Sequence, residues 1–281
     1  MTTGTMVAPD TPTAKAIAAY NAAADFYDDP RNGWDRFGRR TIERLRLPAG
    51  ARVLDVCCGS GASTIPAAET VGPRGFVLGI DLAESLLALA RAKVCERGMQ
   101  HVELRLGDMR GMDVPSAHFD AVVCVFGIFF VPDMAAAVRE LWRAVRLGGR
   151  LALTTWGPNV FEPAATAFWD AVRAVRPDLD KGFNPWDRLA DPASVRELLR
   201  AGGIDHADVV AEAGTHPIPT PEAWWSAVLG SGYRGTIEQL DATDRERVRA
   251  ANFDYVRRSG IASMETNVIY AVATKPSPRA S

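Results

Sequence analysis

Short apolar runs alternate with amphipathic stretches between residues 51 and 156. The runs lie at residues 51–56, 76–80, 102–106, 121–126 and 150–155. Such runs are typical of parallel strands that helices cover on both faces. Stretches with helical periodicity separate them, at residues 62–71, 83–98 and 133–147. The alternation predicts a doubly wound α/β sheet.

The pattern changes after Trp156. Further helices are predicted at 162–175, after the Asp191 N-cap as far as Gly202, at 220–229 and at 243–258, and further strands at 207–213 and 267–273. We therefore divide the chain into an N-terminal helical cap (14–45), a core (46–156) and a C-terminal half (157–275). Residues 1–13 and 276–281 are small, polar and proline-containing, and we predict that they are disordered.

Composition narrows the function classes. The chain has 281 residues, 47% of them hydrophobic, and a formal net charge of −2. Because it has no run of lysine and arginine, nucleic acid is disfavoured as a partner. No apolar window reaches the roughly 18 residues of a membrane span, and no signal-peptide pattern opens the chain. We expect a cytoplasmic protein, with its oligomeric state left open.

The cysteines predict neither a disulfide framework nor a metal site. Cys57, Cys58, Cys95 and Cys124 form no C-x-x-C pair and lie within apolar helix or strand patterns. This usage is typical of small buried residues in a reducing compartment. We therefore predict no metal.

Residues 53–63 carry the most informative motif. A buried strand runs into a turn with Gly59 and Gly61, and Asp81 follows twenty residues after Gly61. This arrangement lets backbone approach a nucleotide-like ligand and places a carboxylate near a ribose. Asp55 precedes the turn, where a pyrophosphate has no use for negative charge, and Thr64 replaces the third glycine of a dinucleotide turn. The motif favours a ligand with a cationic group over a dinucleotide.

Residues 53–63 resemble motif I of the class I S-adenosylmethionine (SAM) methyltransferases. Segments 79–81, 106–109, 119–123 and 147–151 resemble later landmarks of that family, in the same order. The similarity is greatest to the small-molecule branch that includes ubiquinone and menaquinone biosynthesis methyltransferases, and it covers residues 15–156 well. It implies a Rossmann-like sheet of seven strands, the last antiparallel, with helical lid insertions near the substrate mouth. It also implies SAM as cofactor and S-adenosylhomocysteine as product.

The resemblance also implies roles for residues near the carboxyl ends of the strands, where ligands bind in open α/β sheets. Asp55 would lie near the methionine amino group or the amides of the turn, Asp81 would bind the ribose hydroxyls, and Asp108 would bind the adenine amino group. The alternative for each aspartate is a turn or an N-cap. The full predicted cofactor set is Tyr27, Asp55, Gly59, Ser60, Gly61, Asp81, Leu82, Gly107, Asp108, Met109, Val125 and Phe126.

The expected acceptor site is aromatic. The loop after the fourth strand is apolar, which favours a hydrophobic acceptor pocket and leaves that loop without a general base. The predicted substrate residues are Phe129, Phe130, Trp156, Trp224, Trp225 and Tyr233. Core packing is the alternative for these aromatics. His216 follows a strand on the active side and is the candidate base, with a surface loop as the alternative.

Two functional hypotheses remain open. The first is methyl transfer from SAM to a small, aromatic or apolar metabolite, at oxygen, nitrogen or carbon, chiefly through proximity and orientation. The second is a SAM-binding protein without methyl transfer, acting in cyclisation or ligand binding. A macromolecular acceptor is disfavoured, because the N/D-P-P-Y/F sequence of amino-methylating nucleic-acid enzymes is missing.

Overall fold

Alternating strands and helices occupy most of the chain. The computed structural model describes residues 11–180 and 182–277, with the backbone alone at Thr11 and Pro12. The helices of this part of the chain are α1 (Thr11–Tyr27), α2 (Asp35–Leu45), α3 (Thr64–Val71), α4 (Glu84–Glu96), α5 (Met134–Ala144), α6 (Ala164–Val175), α7 (Pro192–Ala201), α8 (Pro221–Leu229), α9 (Arg234–Ile237) and α10 (Ala242–Ser259). Single 3₁₀ turns lie at Ile128–Phe130, Pro177–Leu179 and Pro185–Leu189.

The strands form one large and one small sheet. They are β1 (Arg52–Val56), β2 (Phe76–Asp81), β3 (Val102–Leu106), β4 (Phe119–Val125), β5 (Val145–Trp156), β6 (Asp208–Glu212), β7 (Thr215–Pro217), β8 (Ser263–Glu265) and β9 (Val268–Thr274). The large sheet has seven strands in the order β3-β2-β1-β4-β5-β9-β6. Strands β1 to β5 are parallel, and β9 runs antiparallel to both β5 and β6. The predicted fold class is confirmed.

Burial on both faces explains why the central runs form strands. Val53, Leu54, Val122 and Val123 are fully buried, because helices pack against both faces of the sheet. Helix starts follow the predicted capping chemistry at Asp133, whose carboxylate accepts from the amide of Ala136. The same chemistry caps α7 at Asp191, directly before Pro192.

Several predicted boundaries were wrong. Helix α5 ends at Ala144, whereas we predicted residue 147, because Val145 already pairs with Phe119 and begins β5. Helix α10 begins at Ala242, because the carboxylate of Asp241 caps it in place of the predicted Thr243. The small sheet of β7 and β8 was not predicted, since strands of three residues leave too little periodicity to recognise.

The termini differ in part from the prediction. Helix α1 begins at Thr11, before the predicted start of the cap at residue 14. Pro12 is compatible with this, since the first turn of a helix needs no proline N–H. The predictions of disorder for residues 1–10 and 278–281 lie outside the described residues. No helix in the described part of the chain is long and apolar enough to cross a membrane.

The N-terminal cap and the C-terminal insertion pack together above the carboxyl ends of the strands. Helix α1 contacts α4 of the core and also α8 and α9 of the insertion. Glycines allow this close approach: a Cβ at Gly235 would lie 2.9 Å from the Cβ of Ala19, and one at Gly230 would lie 2.6 Å from the Phe26 carbonyl oxygen. Segments far apart in sequence therefore form one helical layer over the sheet edge.

Candidate active site

A cleft separates this helical layer from the carboxyl ends of β1 to β4. It contains about 770 Å³ of empty space, including the part open to solvent. We call one side the strand-edge wall, formed by Gly59, Asp81, Leu82, Gly107, Asp108, Met109, Val125 and Phe126. We call the other side the cap wall, formed by Ala16, Ile17, Tyr20, Tyr27, Phe130 and Val131. Most of the predicted cofactor residues therefore line a single cleft.

Asp81 is held in place by backbone amides. Its Oδ2 accepts a hydrogen bond from the amide of Gly59 (2.8 Å), and its Oδ1 accepts one from Ala83 (2.8 Å). Burial raises the pKa of its carboxyl above the ordinary value, and the amides partly offset this effect. Because each carboxylate oxygen has more than one lone pair, Asp81 can still accept from a ligand hydroxyl in the cleft.

Asp108 forms a close ion pair with a residue that the sequence analysis missed. The Nε of Arg110 lies 2.9 Å from Oδ2 of Asp108, and the backbone amide of Arg110 donates to Oδ1 at 2.9 Å. The Asp108 side chain is almost fully buried, so the guanidinium compensates a charge that would be costly alone. The cationic side chain two residues after Asp108 was the sequence signal that could have indicated this ion pair. Both Asp108 and Met109 face the cleft.

Asp55 lies beneath the turn, away from the cleft. Its Oδ2 accepts from the hydroxyls of Ser63 (2.8 Å) and Thr64 (2.6 Å), at the start of α3. Burial raises the pKa of Asp55 to about 6. The side chain points from β1 toward α3 and does not line the cleft, and the cofactor contact of Asp55 stays a prediction. Asp55 fixes the start of the helix that follows the glycine turn.

Ser60 and Gly61 also lie off the cleft, on the outer side of the turn. The Oγ of Ser60 donates to Oδ1 of Asp28 (2.6 Å), and Lys93 donates to the carbonyl of Ser60 (2.9 Å). Lys93 and Asp28 form an ion pair at 2.7 Å. We call Asp28, Ser60 and Lys93 the cap contact, because it joins the end of α1 to the glycine turn and α4. Ser60 was predicted beside the cofactor, but here it supports the cap.

Two tyrosines of α1 face the cleft. The rings of Tyr20 and Tyr27 meet edge to face with centroids 6.0 Å apart, and Tyr20 meets Phe130 in the same way at 5.5 Å. Burial raises the pKa of both hydroxyls, which therefore stay protonated at neutral pH. Tyr27 was a predicted cofactor residue, whereas Tyr20 was not assigned a role. Helical spacing alone could not show which face of α1 meets the cleft.

Most predicted substrate aromatics pack in the interior. Trp156 stacks under Phe126, with ring centroids 3.8 Å apart, and it does not line the cleft. Phe129 is buried against Trp186. Of the six residues predicted, only Phe130 lines the cleft. Large rings at these positions fill the space between the sheet and the helical layer.

The lid aromatics are likewise structural. Trp224 is buried, and its indole N–H donates to Oδ1 of Asn252 (2.8 Å). Tyr233 stacks on Phe168 with centroids 4.7 Å apart. Trp225 packs against Phe253 on the far side of α8. None of the three lines the cleft, and α10 packs against both α6 and α8 in this region.

His216 is not available as a base in this structure. Its Nδ1 lies 2.5 Å from a guanidinium nitrogen of Arg36, and its Nε2 lies 2.5 Å from the carbonyl oxygen of Arg31. It is buried within β7 and does not line the cleft. Burial lowers its pKa, with a smaller contribution from Arg36. Both ring nitrogens already have partners in this arrangement, and the catalytic role of His216 stays a prediction.

Metal ligands and cysteines were the other candidate reactive groups. Among the described residues, no group of three or more histidine, cysteine or acidic side chains is placed to hold a metal ion. Cys58 and Cys124 are buried as predicted, but Cys95 is exposed because it lies on the solvent side of α4. All the cysteines are free thiols.

Part of the chain matches a known protein family, and two known proteins are similar to it in sequence. Residues 53–149 match the family described as "Methyltransferase domain". The chain is 38% identical over 126 residues to demethylmenaquinone methyltransferase of Listeria monocytogenes, covering 44% of this chain and about half (53%) of that protein's length. It is 31% identical over 230 residues to nocamycin O-methyltransferase of Saccharothrix syringae, covering 75% of this chain and 80% of that protein.

A solved structure shares the fold over almost the whole chain. The [4+2]-cyclase SpnF superposes with a TM-score of 0.58 at 20% identity, covering 98% of this chain and 99% of that one. At this level of identity the likeness concerns the fold alone.

Proposed function

The chain belongs to the SAM-dependent methyltransferase family, and we propose that it transfers the SAM methyl group to a small metabolite with release of S-adenosylhomocysteine. The observation that supports this most is the cleft, where Asp81 and Asp108 face a cap wall of apolar side chains. The enclosure is suited to a small acceptor, and the demethylmenaquinone and nocamycin relatives carry names of small-molecule methyltransferases.

We propose that the strand-edge wall binds the cofactor. Asp81 would accept from the ribose hydroxyls and Asp108 from the adenine amino group, with Leu82 and Met109 packing beside the base. The remaining members would contact the sulfur-bearing chain: Gly59, Gly107, Val125 and Phe126 on this wall, with Tyr27 across the cleft at its carboxylate. Gly59, with φ of +52°, lets the backbone turn close to the ligand.

The bound cofactor supplies an electrophilic methyl group on a cationic sulfur. With SAM bound, an electron pair of the acceptor would form the new bond to the methyl carbon as the carbon–sulfur bond breaks onto sulfur, and the acceptor's proton would pass to solvent. The residues of the cleft contribute orientation and exclusion of water, and holding two reactants in line is worth roughly 7–11 kcal/mol in favourable cases. Because both ring nitrogens of His216 have partners, the proposal assigns no general base among the described residues.

A labelled-cofactor assay tests the proposal. The purified chain is incubated with methyl-labelled SAM and fractionated metabolite extracts, and S-adenosylhomocysteine is measured together with labelled product. We expect the two to form in equal amounts, and to fall together in Asp81→Ala but not in the matched control Glu84→Gln, an exposed position on α4.

Two outcomes would contradict this proposal. The first is SAM binding without any S-adenosylhomocysteine, accompanied by a rearranged but unlabelled product, which would favour the cyclisation or ligand-binding alternative. The second is the absence of SAM binding altogether, which would remove both hypotheses.

A further inference from the structure

The strand-edge wall of the cleft carries two acids, and the lining of the cleft supplies no cation to match them. Asp81 and Asp108 line the cleft, and no lysine, arginine or histidine lines it among the described residues. Arg110 compensates Asp108 from outside the lining. Asp81 is stabilised by amides alone, so the walls carry about one net negative charge.

The net charge of SAM is opposite to the net charge of the cleft walls. Its sulfonium and ammonium groups are positive and its carboxylate is negative, which leaves one net positive charge for Asp81. Once SAM is bound, the described residues that line the cleft offer no cation to compensate an anionic acceptor. Placing an uncompensated anion against apolar side chains is strongly unfavourable, and the cap wall offers Ile17, Phe130 and Val131 there.

Apart from Arg110, which is paired with Asp108, the cations around the glycine turn lie outside the cleft. Lys93, Arg39 and Arg97 line a separate surface depression on the outer side of the glycine turn. Lys93 is already bound to Asp28 and to the carbonyl of Ser60. The turn separates these charges from the cap wall, where an acceptor would meet the methyl group.

Tyr20 supplies a polar group of the cap wall. Its hydroxyl makes no hydrogen bond with any side chain or backbone group of residues 11–180 and 182–277. It lies 3.6 Å from the position that a Cβ at Gly232 would occupy, so it points along the cap wall toward the insertion. A protonated phenol donates a hydrogen bond, which suits a carbonyl, ether or hydroxyl oxygen of an uncharged molecule.

We propose that the cleft selects uncharged acceptors and rejects those with a carboxylate or phosphate, and that Tyr20 is a specificity-determining residue that binds an oxygen of the acceptor. This inference rests on the proposed function and narrows its substrate class. It assigns recognition of the acceptor to charge balance on the walls and to one hydroxyl on α1.

Matched acceptor pairs test the charge selection. Methyl 4-hydroxybenzoate is compared with 4-hydroxybenzoate, and 3,4-dihydroxybenzaldehyde with 3,4-dihydroxybenzoate, each with labelled SAM. We expect kcat/KM at least about 100-fold higher for the neutral member, since an unpaired buried charge costs several kcal/mol. Equal rates, faster turnover of the acid, or turnover of neither neutral member would overturn the inference.

A charge swap provides the reciprocal test. Ile17 lies three residues before Tyr20, on the same face of α1. Ile17→Lys should raise kcat/KM for the carboxylates about tenfold or more relative to Ile17→Met, with no gain for the neutral partners. Tyr20→Phe should raise KM for the neutral acceptors about tenfold while the SAM dissociation constant stays unchanged.

A measurement of SAM binding distinguishes failure of the charge selection from failure of the proposed function. If wild-type protein binds SAM and methylates the acids as readily as the neutral compounds, the charge selection is wrong and the proposed function stands. If it binds no SAM, the proposed function fails first. A gain for the acids in Ile17→Met equal to that in Ile17→Lys would also contradict the inference.

Discussion

The two walls of the cleft differ in how they are built. The strand-edge wall follows from the parallel sheet, because the carboxyl ends of neighbouring strands bring Asp81 and Asp108 together. The cap wall is assembled from α1 and the turn after β4, and polar contacts such as that of Asn21 with the amide of Ser85 hold it. Most of the proposed cofactor contacts thus lie on the wall that topology fixes, and the proposed acceptor contact of Tyr20 lies on the wall that tertiary packing creates.

The largest expected effect concerns the support of the strand-edge wall. Phe126 faces the cleft and rests on Trp156, which is 7% exposed. Trp156→Ala should lower the free energy of unfolding by about 3–5 kcal/mol, since it opens a large cavity in the core. Denaturant unfolding measures this, with Trp156→Phe as a milder control. A loss below about 1 kcal/mol with a raised acceptor KM would instead place Trp156 at the substrate.

The next largest effect is a pH dependence of the unfolding free energy, which arises from Asp55 beneath the strand-edge wall. Asp55 has a pKa of about 6 in the folded chain against an ordinary value of 3.8. Between these values the folded state holds more protons, so the unfolding free energy contributed by Asp55 falls as pH rises, by about 3 kcal/mol in total. The loss begins near pH 4 and is complete somewhat above pH 6.

Asp55→Asn is the comparison for this prediction, since an amide does not titrate. The difference in unfolding free energy between wild type and variant should change across this pH window and be constant above it. A difference that is flat with pH, or that changes in the opposite direction, would show that Asp55 is ionised at little cost in the folded chain.

Removing Asp81 tests the strand-edge wall itself. Asp81→Ala should weaken S-adenosylhomocysteine binding about 100-fold, because two hydrogen bonds to a charged acceptor are lost. Asp81→Asn should lose less, since the amide oxygen still accepts. Calorimetric titration measures both, and circular dichroism checks that the glycine turn and α3 remain folded. An unchanged affinity in Asp81→Ala would move the cofactor away from this wall.

The same contrast explains what the sequence could and could not predict. Asp81, Asp108 and Met109 were predicted because strand ends and glycine turns leave local signals. The placement of Asp55 off the cleft was not predicted, because the sequence does not show to which side of β1 its carboxyl points.

Long-range packing accounts for the other differences. His216 and Trp156 were assigned to chemistry, but Arg36 and Phe126, distant in sequence, engage them in the interior. Tyr20 received no role, since α1 is placed by contacts with α4, α8 and α9, which are distant from it in sequence.

The smallest effect concerns the cap contact. Lys93 and Asp28 are each about 30% exposed, so their ion pair should contribute less than about 1 kcal/mol to stability. Lys93→Met should speed release of S-adenosylhomocysteine only a few-fold, and added salt should reduce the difference. Stopped-flow release measures this, with Arg91→Met as control, because Arg91 pairs with Glu84 on the exposed side of α4. A release rate that is unaffected by both changes would show that the cap is held by apolar packing alone.

Hydrogen exchange with and without S-adenosylhomocysteine tests most directly whether both walls hold one ligand. We expect the ligand to slow exchange at the end of β2 and at the start of α4. We expect it to slow exchange along α1 to a similar extent. Protection confined to the sheet edge, or absent from both segments, would contradict a cofactor bound between the strand-edge wall and the cap wall.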